Sequence, residues 1–133
     1  MGVSIIGCGD YRRLMTDRIQ KTAQEFLPNP PLSSFFLDFL KSKDPIHRIS
    51  NLVQKDVLLL SGGRDELVPS ECNADFVQKM VDAPRDTSSR FLEIVDPEAG
   101  HTVSPLMRQE TKSWFAKVIQ TRASIHLNVK IDS

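Results

Sequence analysis

The sequence predicts an α/β protein with three parallel strands flanked by helices, because apolar runs and helical periodicities alternate along its 133 residues. Residues 3–7, 57–60 and 91–95 are the apolar runs, and a turn signal and a helical pattern follow each of them. The run at 57–60, Val-Leu-Leu-Leu, has no polar alternation, which is typical of a parallel strand covered on both faces. Strands separated by helices pair in parallel, so a single sheet with helices on its faces is expected.

The segment after the first strand is predicted to be helical. Residues 11–51 are interpreted as a helical, lid-like insertion, in which the proline-rich stretch 28–31 is a stiff connector between two helices. Asp44 is the predicted cap of a short turn that begins at Pro45 and runs to Asn51. The second helix has one apolar face, which consists of Leu32, Phe35, Phe36, Phe39 and Leu40.

Two further helices are predicted after the second and third strands. The first begins at Pro69 and directs four residues inward: Phe76, Val77, Met80 and Val81. The last begins with the cap Ser104 and the first-turn residue Pro105. Its buried face is predicted to contain Met107, Thr111, Trp114, Phe115, Val118 and Ile119. Residues 125–131 alternate in polarity and are expected to be extended or loose, and the chain 1–133 is interpreted as one partial domain.

The composition argues against several classes of partner. Lys+Arg 17 balances Asp+Glu 17, so the electrostatic argument for binding nucleic acid or an anionic membrane is absent. No apolar run approaches the ~20 residues of a membrane span, and no basic region precedes the first apolar run as in a signal peptide. Two cysteines do not make a disulfide framework, which favours a reducing, cytoplasmic setting.

An acid and a histidine follow neighbouring strands of the predicted sheet. Asp65 comes after the turn at Gly62-Gly63, and His101 comes after Gly100 in the loop behind the third strand. Because the carboxyl ends of parallel strands meet at one edge of a sheet, these two side chains are expected to lie together. A histidine held by a carboxylate is the base that activates a hydroxyl nucleophile. The sequence therefore predicts Asp65 and His101 as catalytic residues.

Other interpretations of single residues stay open at this point. Asp65 is also an ordinary turn residue after two glycines, and His101 is also an ordinary loop histidine. Asp10 follows the first strand and is the alternative acid, although a role in capping the next helix is favoured. Cys8 is a thiol that could lie near His101, but a buried structural cysteine is commoner, and Cys72 lies on a helix without a partner.

Metal and cofactor sites are not predicted. His47 and His126 have no neighbours of metal-ligand type at useful spacing. The glycine pair at 62–63 is not a phosphate loop, because no Lys-Ser or Lys-Thr follows it. The phenylalanines of the second helix could line an acyl pocket, but at helical spacing they are first of all a packing face.

The two loops resemble a known family. Residues 58–69, Leu-Leu-Leu-Ser-Gly-Gly-Arg-Asp-Glu-Leu-Val-Pro, are similar to the acid segment after the seventh strand of α/β-hydrolases. Residues 98–101, Glu-Ala-Gly-His, are similar to the histidine loop after the eighth strand, and the helix with Trp114 and Phe115 is similar to the C-terminal helix. The resemblance is greatest to dienelactone-hydrolase-like and prolyl-oligopeptidase-like serine esterases. It implies that the chain corresponds to the C-terminal half of the fold, that residues 3–10 match the sixth strand, and that residues 11–51 match the lid.

The family's nucleophile elbow, Gly-x-Ser-x-Gly, has no match in the sequence. Gly2-Val3-Ser4-Ile5-Ile6-Gly7 comes near it, but Ile6 occupies the position of a required glycine and no strand precedes Gly2. Ser4 is therefore not expected to be the nucleophile, and both the elbow and the oxyanion-hole loop are expected before residue 1.

Three hypotheses for function follow. The first is a serine hydrolase of small-molecule esters or amides, to which these residues contribute acid and base and which is inactive without the missing half. The second is a non-catalytic interaction module that associates, with itself or another chain, through the edge of the first strand. The third, an unrelated three-layer α/β binding domain, ranks last because the sequence lacks a glycine-rich phosphate loop.

Overall fold

The computed structural model describes residues 2–5, 7–26, 33–85 and 89–131. Its strands, β1 (Gly2–Ile5), β2 (Val57–Gly62) and β3 (Phe91–Asp96), form one sheet in the order β1-β2-β3, and both pairings are parallel. The register places Gly62 opposite Asp96, so the loops that leave β2 and β3 start side by side.

The described helices cover most of the remaining chain. They are α1 (Tyr11–Phe26), α2 (Ser34–Lys43), α3 (Ile49–Leu52), α4 (Ala74–Asp82) and α5 (Pro105–Ile131), with 3-10 helices at Pro45–His47 and Ser70–Asn73. No helix in the described ranges is long and apolar enough to cross a membrane.

The central strand β2 is covered on both faces, as its uninterrupted apolar run predicted. Leu58 and Leu60 are fully buried on one face, and the residues packed with them include Met107, Trp114 and Val118 of α5. Leu59 points to the other face, where it packs with Ile46, Phe76 and Met80. Burial of an aliphatic side chain stabilises the fold by ~1.5–3 kcal/mol, so both clusters contribute to the stability of the described chain.

The predicted architecture of a half-hydrolase sheet with a separate helical lid over residues 11–51 is wrong. Helices dominate the described chain, with five α-helices and two 3-10 helices around three short strands. The end of the supposed lid belongs to the core, because Ile46 is buried against β2 and α4, and Ile49 and Leu52 pack there too. The physical reason is that removing these apolar side chains from water is favourable, and they bury their surface against the face of β2 at Leu59.

Several predicted helix faces also need correction. No residue of α2 is fully buried: Phe35 and Phe39 are 82% and 52% exposed, and Phe36 and Leu40 are half-buried, so only part of the predicted apolar face is covered in the described chain. Val81 of α4 and Ile119 of α5 are exposed rather than inward. Residues 125–131 continue α5 and are not an extended tail. The proline-rich stretch 28–31 lies outside the described residues.

Asp44 caps a different helix from the one predicted. It does precede the 3-10 helix at Pro45, but its side chain makes no cap bond there. Its carboxylate instead accepts hydrogen bonds from the backbone N–H groups of Tyr11 (2.7 Å) and Arg12 (3.1 Å) at the start of α1. A fully buried carboxylate at a helix N-terminus is favourable because free N–H groups and the helix dipole meet it there.

Candidate active site

The acid of the site is held in the turn that follows β2. The Asp65 side chain is fully buried, and its Oδ1 accepts hydrogen bonds from the backbone N–H groups of Leu67 (2.9 Å) and Val68 (2.8 Å). An aspartate that binds the backbone two and three residues ahead closes its own turn. One carboxylate oxygen is thus committed to the turn, and Oδ2 stays available for a partner.

That partner is His101, from the loop after β3. Its Nδ1 lies 3.0 Å from Asp65 Oδ2, and its side chain is 47% exposed. With Asp65 ionised, Nδ1 donates to the carboxylate and Nε2 of the neutral ring carries the free lone pair. The predicted pairing of Asp65 and His101 across the edge of the sheet is present, with the second ring nitrogen available as a base.

The two loops are joined by backbone hydrogen bonds. The N–H of Gly63 donates to the carbonyl of Asp96 at 2.7 Å, and the N–H of Arg64 donates to the carbonyl of Ala99 at 2.9 Å. A Cβ at Gly62 would lie 2.5 Å from the Ala99 oxygen, and a Cβ at Gly63 would lie 2.8 Å from Pro97 Cα. Both glycines therefore serve the close approach of the histidine loop, which the sequence pattern could not show.

Asp96 and Ser104 anchor the two ends of the histidine loop, and sequence reasoning did not assign Asp96 a role. Asp96 Oδ1 accepts from the N–H of Glu98 at 3.1 Å, and the Asp96 carbonyl accepts from Ala99 at 3.2 Å. The Ser104 hydroxyl bonds to the Asp96 carboxylate. This bond lowers the pKa of Asp96 below 3.8, and the hydrogen bond from the Glu98 N–H makes a smaller contribution in the same direction. Ser104 Oγ also accepts from the N–H of Met107 at 3.1 Å, which confirms it as the cap of α5.

The electrostatics of Asp65 favour its ionised form. Burial of the carboxyl acts to raise its pKa, but the hydrogen bonds from Val68, His101 and Leu67 outweigh burial, and the pKa lies below the usual 3.8. Asp65 is therefore an anion at neutral pH, as the orienting partner of a histidine base must be.

The alternative acid and thiol have structural roles. Asp10 Oδ1 accepts from the N–H of Arg13 at 2.9 Å, which is the favoured capping role at the start of α1. Cys8 is buried with Leu14 and Cys72, and burial raises the pKa of its thiol to about 12. Burial also raises the pKa of Cys72. Neither sulfur is a thiolate at neutral pH, so neither is a nucleophile.

Asn73 is a buried residue that the sequence analysis missed. Its Oδ1 accepts from the N–H of Gly9 at 2.6 Å, and its Nδ2 donates to the Gly7 carbonyl (3.1 Å) and to Ser61 Oγ (3.3 Å). It thereby ties the chain that leaves β1 to the end of β2. A lone polar residue in a helix-starting segment carries no sequence signal for such a contact.

The described residues provide no nucleophile for His101. Within them, Asp65 is the only residue bonded to the His101 ring. Ser4 lies within β1, opposite Leu59, and not at a turn from a strand into a helix. In the same part of the chain no three His, Cys, Asp or Glu residues are arranged to hold a metal ion.

A cavity of about 330 Å³ lies beside the acid loop, between α1 and the segment after β2. Its lining includes Arg13, Arg18, Lys21, Glu66, Pro69 and Cys72. Neither Asp65 nor His101 borders this cavity, so it is not the place where an acyl group would meet the His101 base.

Searches against protein-family models and against curated proteins gave no match to this chain. The geometry of the acid and histidine loops is therefore the basis for a functional assignment.

Proposed function

We propose that this chain contributes the acid, Asp65, and the base, His101, of a serine-hydrolase triad, and that its two loops are related to those of α/β-hydrolases. The observation that carries the proposal is the 3.0 Å contact between His101 Nδ1 and the buried Asp65 Oδ2, with the histidine side chain about half exposed. The substrate class is a carboxylic ester or amide, which is what a hydroxyl nucleophile activated by such a pair attacks.

The pair would act by proton transfer. His101 Nε2 takes the proton of a serine hydroxyl as that oxygen bonds to the acyl carbon, and the resulting imidazolium gives the proton to the leaving oxygen or nitrogen. The same nitrogen then takes a proton from water as its oxygen attacks the acyl-serine, and it returns that proton to the serine oxygen as the bond to the acyl carbon breaks and the acid is released. Asp65 stays ionised throughout, holds the ring by Nδ1 and stabilises the imidazolium.

The 133 residues by themselves are expected to be inactive, because the sequence contains no Gly-x-Ser-x-Gly to supply the hydroxyl. The purified chain should hydrolyse a p-nitrophenyl ester no faster than an equal concentration of its His101→Ala variant. Turnover well above background that His101→Ala abolishes would show that a nucleophile is present in these residues.

The proposal is tested by extending the chain. Translation of the reading frame upstream of Met1 is expected to reveal an apolar run followed by Gly-x-Ser-x-Gly. The extended protein should hydrolyse the ester, and kcat should fall by about 10⁶-fold in His101→Ala and by about 10⁴-fold in Asp65→Asn. Asp82→Asn, which removes an exposed carboxylate on α4, is the matched control and should leave kcat unchanged. An extended frame without such a serine, or activity that survives His101→Ala, would contradict the proposal.

A second candidate function is a non-catalytic interaction module. The observation that favours it is the sheet order, in which β1 pairs only with β2 and has no strand on its other side among the described residues. An open edge offers unpaired backbone groups to another strand, from a second copy or a different chain. Size-exclusion chromatography with light scattering over a hundredfold concentration range tests self-association. A monomer at every concentration would count against pairing of β1 with a second copy of this chain.

The proposed setting is a reducing one such as the cytoplasm. Cys8 and Cys72 are both free, although they belong to one buried cluster. Disulfides persist mainly in oxidising compartments. Non-reducing mass spectrometry of the chain isolated from its native cells should therefore find both thiols reduced.

A further inference from the structure

The acid loop is held from two sides. On one side, the carboxylate of Asp65 accepts the N–H of Val68 at 2.8 Å. On the other side, the guanidinium of Arg18 on α1 donates to the carbonyl of Leu67. The Leu67 carbonyl and the Val68 N–H belong to the same peptide group, so Arg18 and Asp65 bind opposite ends of one peptide dipole.

Apolar packing reinforces this contact. Leu14 lies one turn before Arg18 on α1 and is buried with Cys8 and Cys72, and Val68 packs against that cluster. The peptide between Leu67 and Val68 is therefore fixed to α1 by a hydrogen bond at its carbonyl and by the neighbouring valine side chain.

We propose that Arg18 is a positioning residue for the acid of the site, acting through the peptide between Leu67 and Val68. A cation at the carbonyl polarises the peptide and makes its N–H a better donor to the carboxylate, since linked hydrogen bonds strengthen one another. The contact also holds Asp65 in the orientation that leaves Oδ2 directed at His101. As a statement about catalysis the inference rests on the proposed function, whereas the contact itself does not.

The matched control lies on the same helix. Arg13 carries the same charge and also lines the cavity beside the acid loop, but its guanidinium pairs with Asp75 at 3.6 Å rather than with the acid loop. Arg13→Gln removes one cation from α1 without touching the Leu67 carbonyl. Arg18→Gln removes both the charge and the bond, and Arg18→Lys keeps one charged donor, which is enough for a single carbonyl.

The experiment is NMR of the 133-residue chain and these three variants, with far-UV circular dichroism to verify folding. In Arg18→Gln the Asp65 carboxyl should titrate at a higher pH than in the unchanged chain. The amide of Val68 should exchange with solvent about threefold faster, equivalent to ~0.65 kcal/mol. Arg18→Lys should restore both values, and Arg13→Gln should match the unchanged chain.

Three results would overturn the proposal. They are an unchanged Asp65 titration and Val68 exchange in Arg18→Gln, an equal change in Arg13→Gln, or no recovery in Arg18→Lys. All of these measurements are independent of ester hydrolysis. An extended enzyme without activity would leave the result for Arg18 intact, and a negative result for Arg18 would leave the proposed hydrolase function intact.

Discussion

Asp65 is the residue on which the site depends, because both of its oxygens have fixed partners. Oδ1 closes the turn with Leu67 and Val68, and Oδ2 meets His101 Nδ1 at 3.0 Å. The carboxylate is buried, so it keeps its charge only because these donors replace water. Turn formation and histidine orientation thus use the same side chain.

Asp65→Asn should destabilise the fold in a pH-dependent way. The folded-state pKa of Asp65 lies below 3.8, so its ionised form contributes stability above that pH, and this is lost as the pH falls through the folded value. Urea unfolding should show a loss of about 1.5–3 kcal/mol at pH 7, since the lost bonds involve a charged acceptor. The difference should shrink as the pH falls below about 4. A difference that is constant between pH 7 and pH 3 would contradict this electrostatic account.

Gly62 and Gly100 make a matched pair at the contact between the loops. A Cβ at Gly62 would lie 2.5 Å and 2.6 Å from two carbonyl oxygens of the histidine loop, whereas a Cβ at Gly100 would come no closer than 3.7 Å to any neighbour. Gly62→Ala should therefore cost roughly 1–3 kcal/mol of unfolding free energy. Gly100→Ala should change it by less than about 0.5 kcal/mol. Chemical denaturation of both variants measures this, and equal effects would show that the loops do not approach as described.

At the scale of elements, the start of α5 determines where the histidine loop ends. Ser104 caps the helix through the N–H of Met107 and also bonds to Asp96 at the end of β3. The segment between those two residues carries His101. One hydroxyl therefore links the end of β3 to the start of α5, on either side of the loop that carries His101.

Ser104→Ala should lose about 1 kcal/mol of stability, as is typical for removal of an N-cap. It should also weaken the contact between His101 and Asp65, seen as loss of the downfield Nδ1–H proton resonance of His101 in NMR. Ser33→Ala is the control, because Ser33 caps α2 in the same way through the N–H of Phe36 at 3.2 Å and α2 buries no residue. If both variants left the His101 resonance unchanged, the cap would have no role in positioning the histidine.

At the scale of the whole molecule, β2 separates two apolar clusters, one beneath α5 and one beneath α4 and the short helices before β2. The acid loop leaves the end of this strand, which is held on both faces and on both edges. The acid therefore follows the strand that is paired on both edges and covered on both faces, and the pairing with β3 brings the acid loop beside the histidine loop.

Met107 and Leu106 test the role of α5 in that core. Met107 is fully buried beside the leucines of β2, whereas its neighbour Leu106 is 38% exposed. Met107→Ala should cost about 2–5 kcal/mol, and Leu106→Ala should cost less than about 1 kcal/mol. Thermal and urea unfolding measure both, and similar losses would mean that α5 does not pack in the orientation described.

Much of the site could be predicted because its signals are local. An apolar run without alternation indicated β2, a Gly-Gly-x-Asp turn placed Asp65 after it, and Ser104-Pro105 indicated a helix start. Parallel pairing then brought Asp65 and His101 to one edge. The role of Gly62 and the anchoring by Asp96 could not be predicted, since each depends on which backbone atoms of a distant loop lie within about 3 Å.

The sequence by itself determined the approximate positions of the strands, most helix starts and the placement of Asp65 and His101 in the loops after β2 and β3, because these follow from periodicity and turn chemistry within a few residues. Only the tertiary structure decided that Asp44 caps α1, that Ile46 is in the core, that Phe35 and Phe39 of α2 are exposed, and that Arg18 reaches the acid loop. Each of those outcomes depends on contacts between residues far apart in the chain, where the gain from burial or pairing overrides the local pattern.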